Sequence, residues 1–218
     1  MVPILDSPKI TTAHKYNAVA GYFGLYDLLF FYPRRFRSKG ADALGDIKDK
    51  RVLEIGCGNG LNFKHLVERV GPDGAVVGID LSVDMVGAAQ SRCKQNSWHN
   101  VSTHISDAAE YLSGTPLDAA YFGLSFTVID NPYKALDNIL NQLRSGGRIA
   151  VMETRIPNWM PPFLERRLSK YAHRNFGTDV EIKPWRVFEE YQQRGLIKNV
   201  TVETIRNYSF YVLSAEKT

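Results

Sequence analysis

From residue 50 onward the chain alternates short, nearly continuous apolar runs with longer stretches in which apolar residues recur every three or four positions. The first pattern marks buried strands and the second amphipathic helices. Their alternation predicts an α/β domain on a doubly wound, mostly parallel sheet. "RVLEIG" from residue 51 is the first predicted strand, and in "LNFKHLVERV" Phe63, Leu66, Val67 and Val70 share one helical face. "GPDG" is a turn, "AVVGID" a second strand ending in Asp80, and "SVDMVGAAQSRCKQN" a helix with Ser82 as its N-cap. "VSTHISD" and "LDAAYFGLSF" supply the third and fourth strands. "NPYKALDNILNQL" is a helix opened by Pro132 and stopped by "RSGG", and "RIAVMET" is the fifth strand.

After Thr154 the rhythm breaks. The prolines of "RIPNWMPPF" forbid a regular helix or central strand there, and "LERRLSKYAHRNF" then reads as an inserted helix, so residues 155–180 form a predicted lid. Residues 181–218 hold one more helix, "PWRVFEEYQQRG", and two β-type runs, "VTVETIR" and "YSFYVLSAEK", expected as an antiparallel pair. Residues 1–45, with Tyr16, Tyr22, Phe23, Tyr26, Phe30 and Phe31, read as a helical cap roofing the ligand site, and residues 46–154 as the cofactor-binding core of one domain, 1–218.

Composition narrows the class without naming a partner. With 44% hydrophobic and 23% charged residues the chain reads as a globular protein, and no apolar run approaches the roughly 18 residues of a membrane span. The N-terminus lacks the basic start and apolar core of a secretory signal, so a cytoplasmic location is expected. Cys57 and Cys93 have no CxxC partner and are expected as small buried hydrophobes; no histidine pair has metal spacing, and no metal is expected. The net charge of +4 permits anionic partners but does not call for one.

The chemistry concentrates after the first strand, in "EIGCGNG". A dinucleotide fingerprint starting at Gly56 needs glycines at 58 and 61, and position 61 is Leu; a Walker loop needs Lys and Ser or Thr where Leu61 and Asn62 stand. Glu54, read as facing the loop, would repel a pyrophosphate and suit a cationic ligand. Asp80, at the tip of the second strand, is placed to accept both hydroxyls of a ribose. Together they describe a nucleoside with a cationic tail and no phosphate, S-adenosylmethionine, with Asp107 accepting from the adenine amino group.

"LEIGCGNG", "GIDLS", "SDAAEY", "LDAAYFGLSF" and "LRSGGRIAVMET" follow one another as in the class I S-adenosylmethionine-dependent methyltransferases, which this sequence resembles from about residue 45 to its end. The resemblance implies a Rossmann-like seven-stranded sheet whose last strand is antiparallel between its neighbours. It implies a cofactor site at Tyr16, Glu54, Gly56, Cys57, Gly58, Asn59, Gly60, Asp80, Leu81, Met85, Asp107, Ala108 and Leu124. "DNPY" lies too far past the fourth strand, and lacks a second proline, to be the Asn-Pro-Pro-Tyr signature of base-methylating enzymes; Pro132 is then a helix start.

Methyl transfer requires alignment and desolvation more than catalytic side chains. A phenol or acidic carbon would need a base, for which His14, Tyr26, Tyr121, Glu153 and His173 are the candidates, while His65, His99 and His104 read as structural or solvated. The N-terminal run, with its Tyr26–Asp27 pair, resembles the branch of quinone-biosynthesis and phospholipid N-methyltransferases, implying a small apolar or amphipathic acceptor. Leu28 to Phe31 beside Arg34, Arg35, Arg37 and Lys39 suggests peripheral contact with a membrane surface. A nucleic-acid partner is not expected. An RNA methyltransferase and a cofactor-binding but inactive partner subunit are the alternatives.

Overall fold

The computed structural model describes residues 34–156, 159–179, 181–205 and 210–218. In chain order it runs α1 (Arg34–Asp42), β1 (Arg51–Ile55), α2 (Phe63–Val70), β2 (Ala75–Asp80), α3 (Val83–Gln95), β3 (Val101–Ile105) and β4 (Leu117–Gly123). A 3-10 turn (Phe126–Val128) then leads to α4 (Pro132–Gln142), β5 (Leu143–Thr154), α5 (Pro162–Phe176), α6 (Pro184–Gln193), β6 (Ile197–Ile205) and β7 (Phe210–Lys217). The seven strands form one sheet in the order β3-β2-β1-β4-β5-β7-β6. All pairs are parallel except those of β7, which runs antiparallel to both β5 and β6. The chain order reverses beside β1, so the crevice between β1 and β4 opens at the carboxyl ends of the strands, where such sheets hold ligands.

Side chains alternate across the sheet with period two and build two cores. Leu53, Ile55, Ala120, Phe122, Ile149 and Val151 face one side with Leu136 and Ile139 of α4 and Phe188 of α6. Val52, Ala119, Tyr121, Ala150 and Met152 face the other, with Phe36 of α1 and Phe63 and Leu66 of α2. Burial of these side chains, at roughly 25 cal/mol per Å² of apolar surface removed from water, is the main force holding the layers together.

The sequence reading is met at the helix starts. The Ser82 hydroxyl accepts from the Met85 N–H at 3.1 Å, and Asn131 accepts from the Lys134 N–H at 2.9 Å ahead of Pro132. It differs at β5, which begins at Leu143 rather than Arg148. Leu143 already pairs with Leu117, and the "RSGG" run loops out before Arg148 resumes pairing with Ala119, so what reads as a helix stop is an irregularity inside a strand. β6 also carries a register shift between Lys198 and Thr201, with Asn199 in the left-handed region that asparagine tolerates better than most residues.

Candidate cofactor site

At the carboxyl edge of β1, β2, β3 and β4 lies a cavity of about 310 Å³. That size falls at the lower end of small-molecule sites. Its walls come from the glycine loop (Gly56 to Asn59), the end of β2 (Asp80, Leu81) and Met85 of α3. Further wall comes from Ser106 to Ala109 after β3, Leu124 and Ser125 after β4, Val128 to Asn131 with Lys134, and Arg37 with Leu61 and Asn62.

The loop owes its shape to backbone that only glycine adopts readily. Gly56 and Gly58 have φ of 64° and 53°. A Cβ on Gly56 would stand 2.6 Å from the Cβ of Ser125, whose hydroxyl donates to the Ile55 carbonyl and so ties the end of β1 to the end of β4. Leu124, just before it, takes a φ of 64°, unusual for a side chain of its bulk, while its N–H donates to the Met152 carbonyl at 2.8 Å. Strained backbone of this kind gathers at ligand sites. Replacing Gly56 by alanine is expected to lower the melting temperature by about 5–10 °C, because positive φ and the Ser125 contact together cost about 2–3 kcal/mol. Thermal denaturation followed by circular dichroism checks this, and an unshifted midpoint contradicts it.

Three of the loop's N–H donors are engaged within the protein. The Cys57 N–H donates to the Ile79 carbonyl at 2.9 Å, the Gly58 N–H to Asp80 Oδ2 at 2.8 Å, and the Gly60 N–H to the Cys57 carbonyl at 3.0 Å. A phosphate nest needs such N–H groups turned outward. Here they turn inward, and a carboxylate sits where a pyrophosphate would approach. Asp80 Oδ1 accepts the Ser82 N–H at 2.9 Å, so each carboxylate oxygen is oriented by one backbone donor and keeps further lone pairs for ligand hydroxyls. Burial raises the Asp80 carboxyl above its ordinary value, against the pull of those backbone donors. Asp107 Oδ1 accepts the Ala109 N–H at 2.9 Å, which closes the turn after β3. The donor set therefore fits a sulfonium nucleoside. Asp80 would hold its ribose, and the apolar walls around Met85, Ala108 and Val128 would take its base.

Of the residues expected at the cofactor site, Gly56, Cys57, Gly58, Asn59, Asp80, Leu81, Met85, Asp107, Ala108 and Leu124 line this cavity. Gly60 does not; it lies against Phe63, where a Cβ would come within 2.7 Å of the ring. Glu54 does not either, and here the reading needs correction. It shares the face of Val52, so its carboxyl points between the sheet and α1 rather than into the loop, and it is fully buried. Asn62 donates to Glu54 Oε1 at 2.6 Å and accepts from Arg37 Nη1 at 2.8 Å. Asn62 stands at the N-cap position of α2, yet its side chain makes no capping bond, because it bridges these two groups instead. Burial pushes the Glu54 carboxyl up to about 8 despite Asn62 and Arg37.

The three proposed bases that fall among the described residues do not line the cavity. Tyr121 is fully buried beneath α1, its hydroxyl on Met152 Sδ at 3.7 Å, and burial holds its phenol well above the ordinary value. Glu153 is 3% exposed, and its carboxyl accepts from the Thr127 N–H at 3.2 Å, so it braces the 3-10 turn; burial pushes it up to about 7. His173 lies on the exposed face of α5, near the Thr178 carbonyl. Tyr16, His14 and Tyr26 lie outside the described residues. Arg37, read as part of a basic surface cluster, is instead 7% exposed and lines the cavity with Asn62, and Lys39 pairs with Glu203 at 2.7 Å. Neither Arg37 nor Asn62 is among the site residues expected from the sequence; no spacing rule joins two residues 25 positions apart. Cys57 and Cys93 are buried thiols, as expected.

Comparison with known proteins agrees with this geometry. Residues 46–201 match the family described as "Methyltransferase domain". The demethylmenaquinone methyltransferase of Lactococcus lactis subsp. lactis (strain IL1403) is 29% identical over 131 residues, 56% of this chain and 49% of its own length. The chain thus spans about half the length of that relative. Among solved structures, a SAM-dependent methyltransferase from Aquifex aeolicus superposes with a TM-score of 0.64 at 20% identity, covering 84% of this chain and 89% of that one. A phosphoethanolamine N-methyltransferase 2 of Haemonchus contortus, in complex with phosphomonomethylethanolamine and S-adenosylhomocysteine, superposes with a TM-score of 0.69 at 16% identity, over 83% and 52% of the two chains. At these identities the superpositions speak for the fold. With well over half of its residues matched to the family, on a seven-stranded sheet that superposes on methyltransferase structures, the chain belongs to the class I S-adenosylmethionine-dependent methyltransferases.

Proposed function

We propose that this chain transfers methyl groups from S-adenosyl-L-methionine to a small apolar or amphipathic acceptor, a quinone-like molecule, a phospholipid or a secondary metabolite. The observation that carries the reading is the inward-turned glycine loop. Its Gly58 N–H is bound by Asp80, which leaves a carboxylate rather than a phosphate cradle at the end of β1. When bound, the cofactor supplies an activated methyl group on a cationic sulfur. The chain's own residues then have three tasks. Asp80 orients the nucleoside, Leu124, Val128 and Ile129 exclude water, and Arg37 with Asn62 closes the end of the cavity beneath α1. Exclusion of water favours attack because a desolvated acceptor meets a cationic methyl donor in line.

The similarity to a demethylmenaquinone methyltransferase supports an apolar ring acceptor over a polymer. Among the described residues, neither Tyr121 nor Glu153 is in place as a base, which suits an acceptor that ionises near neutrality, or an amine attacking in its neutral form. Incubation with tritiated donor and a panel of hydroxyquinones, ethanolamine phospholipids and transfer RNA tests the reading. Label in the organic extract is the expected result. Label confined to RNA would make it a nucleic-acid enzyme, and binding of the donor without label anywhere would make it an inactive partner subunit.

A further inference from the structure

Helix α5, with Trp159 three residues before its start, exposes an apolar surface unlike that of any other described helix. Trp159 is 71% and Phe163 75% exposed, and Leu164, Leu168 and Tyr171 are also open to solvent. Leu164, Leu168 and Tyr171 follow at i, i+4 and i+7, which stacks them in one stripe along the helix. Arg167, Lys170 and Arg174 repeat at i, i+3 and i+7 in a neighbouring stripe, with Arg166 beside them, against Glu165 as the acidic residue of the helix. No described strand or helix packs broadly against α5. An apolar stripe with cations along one side, and aromatic rings at the helix start, is the pattern of a helix that lies in the plane of an anionic bilayer interface.

We infer that α5 docks this protein on an anionic lipid surface, Leu164, Leu168 and Tyr171 entering the headgroup boundary and Arg167, Lys170 and Arg174 meeting the lipid phosphates. An anionic polymer would meet the basic stripe but leave the apolar one in water; a bilayer accommodates both, and this decides between them. Both ends of the segment are tied to the edge of the sheet that holds the cavity. It leaves from Thr154 at the carboxyl end of β5, and on its return the Asp179 N–H donates to the Thr127 carbonyl at 2.8 Å, next to Val128 in the cavity wall. A protein held by α5 therefore has its cavity edge next to the membrane. This inference concerns the surface and stands whether or not the acceptor is the one proposed above.

Co-sedimentation of the full chain with phosphatidylcholine vesicles, with and without phosphatidylglycerol, tests it. Three variants accompany the wild type: Leu164→Ser with Leu168→Ser, Arg167→Gln with Lys170→Gln and Arg174→Gln, and Trp159→Phe. The wild type is expected to pellet with the anionic vesicles and to shift its tryptophan emission to the blue, a shift that Trp159→Phe removes. Each multiple variant is expected to bind the vesicles at least about tenfold more weakly, with unchanged melting temperature and unchanged calorimetric binding of S-adenosylhomocysteine. A wild type that ignores anionic vesicles overturns the inference, as do variants that bind like the wild type. A serine variant that melts lower also overturns it, since the stripe would then be covered by residues 1–33 or by a second copy of the chain.

Discussion

Replacing Asp80 by alanine is expected to weaken binding of S-adenosylhomocysteine by at least about 100-fold. The carboxylate would hold two ribose hydroxyls by charge-assisted bonds worth about 1.5–3 kcal/mol each, and every 1.4 kcal/mol is a factor of ten. The same substitution removes the acceptor of the Gly58 and Ser82 N–H groups, so the apo protein should also melt lower. Asp80→Asn separates the two effects: its amide oxygen can keep one backbone donor, so it should melt closer to the wild type while still losing most of the affinity. Isothermal calorimetry and thermal melting of the three proteins, with and without the ligand, read both effects. Full affinity in Asp80→Ala would remove Asp80 from the site.

The second large effect lies in the dependence of stability on pH. The Glu54 carboxyl is pushed from its ordinary 4.5 up to about 8 by burial. Between those values the folded chain holds a proton that the unfolded chain has released, so stability is fully present below about pH 4.5 and falls as the pH rises toward about 8. The loss is of order 3–5 kcal/mol, taking 1.36 kcal/mol per unit. Glu153, pushed up to about 7 by burial, adds a slope of the same sign that ends earlier. A Glu54→Gln variant mimics the protonated form and keeps an oxygen for the Asn62 amide. It should match the wild type near pH 5 and exceed it in urea midpoint above about pH 8, leaving only the shallower Glu153 slope. Identical pH profiles for the two proteins would contradict the buried, protonated Glu54.

What the sequence revealed, and what it hid, follows from the range of the physics involved. Local signals were legible. The apolar run of β1, the Ser82 cap, the helix start at Pro132 and Asp80 at the tip of β2 each depend on neighbours within a few residues, and each lies in the structure where it was read. Leu61 in place of a third glycine excluded a dinucleotide, and the loop's inward N–H bonds now give that exclusion its structural reason. Glu54 was misplaced because its strand end was read as loop-facing, although strand parity puts it with Val52, away from Leu53 and Ile55. Its partners could not be foreseen. Arg37 meets Asn62, and through it Glu54, once α1 has packed against α2, β4 and β5. Tyr121 and Glu153 also sit near strand ends, but their side chains enter the core and the 3-10 turn rather than the cavity.

The central claim is that the loop after β1 holds an adenosyl sulfonium cofactor and not a nucleotide phosphate. Titration of the wild-type chain with S-adenosylhomocysteine and, separately, with NAD in an isothermal calorimeter tests it most directly. The account predicts saturable one-to-one binding of S-adenosylhomocysteine in the micromolar range, about 8 kcal/mol of binding free energy, and no heat with NAD beyond dilution. Binding of NAD with none of S-adenosylhomocysteine would contradict it.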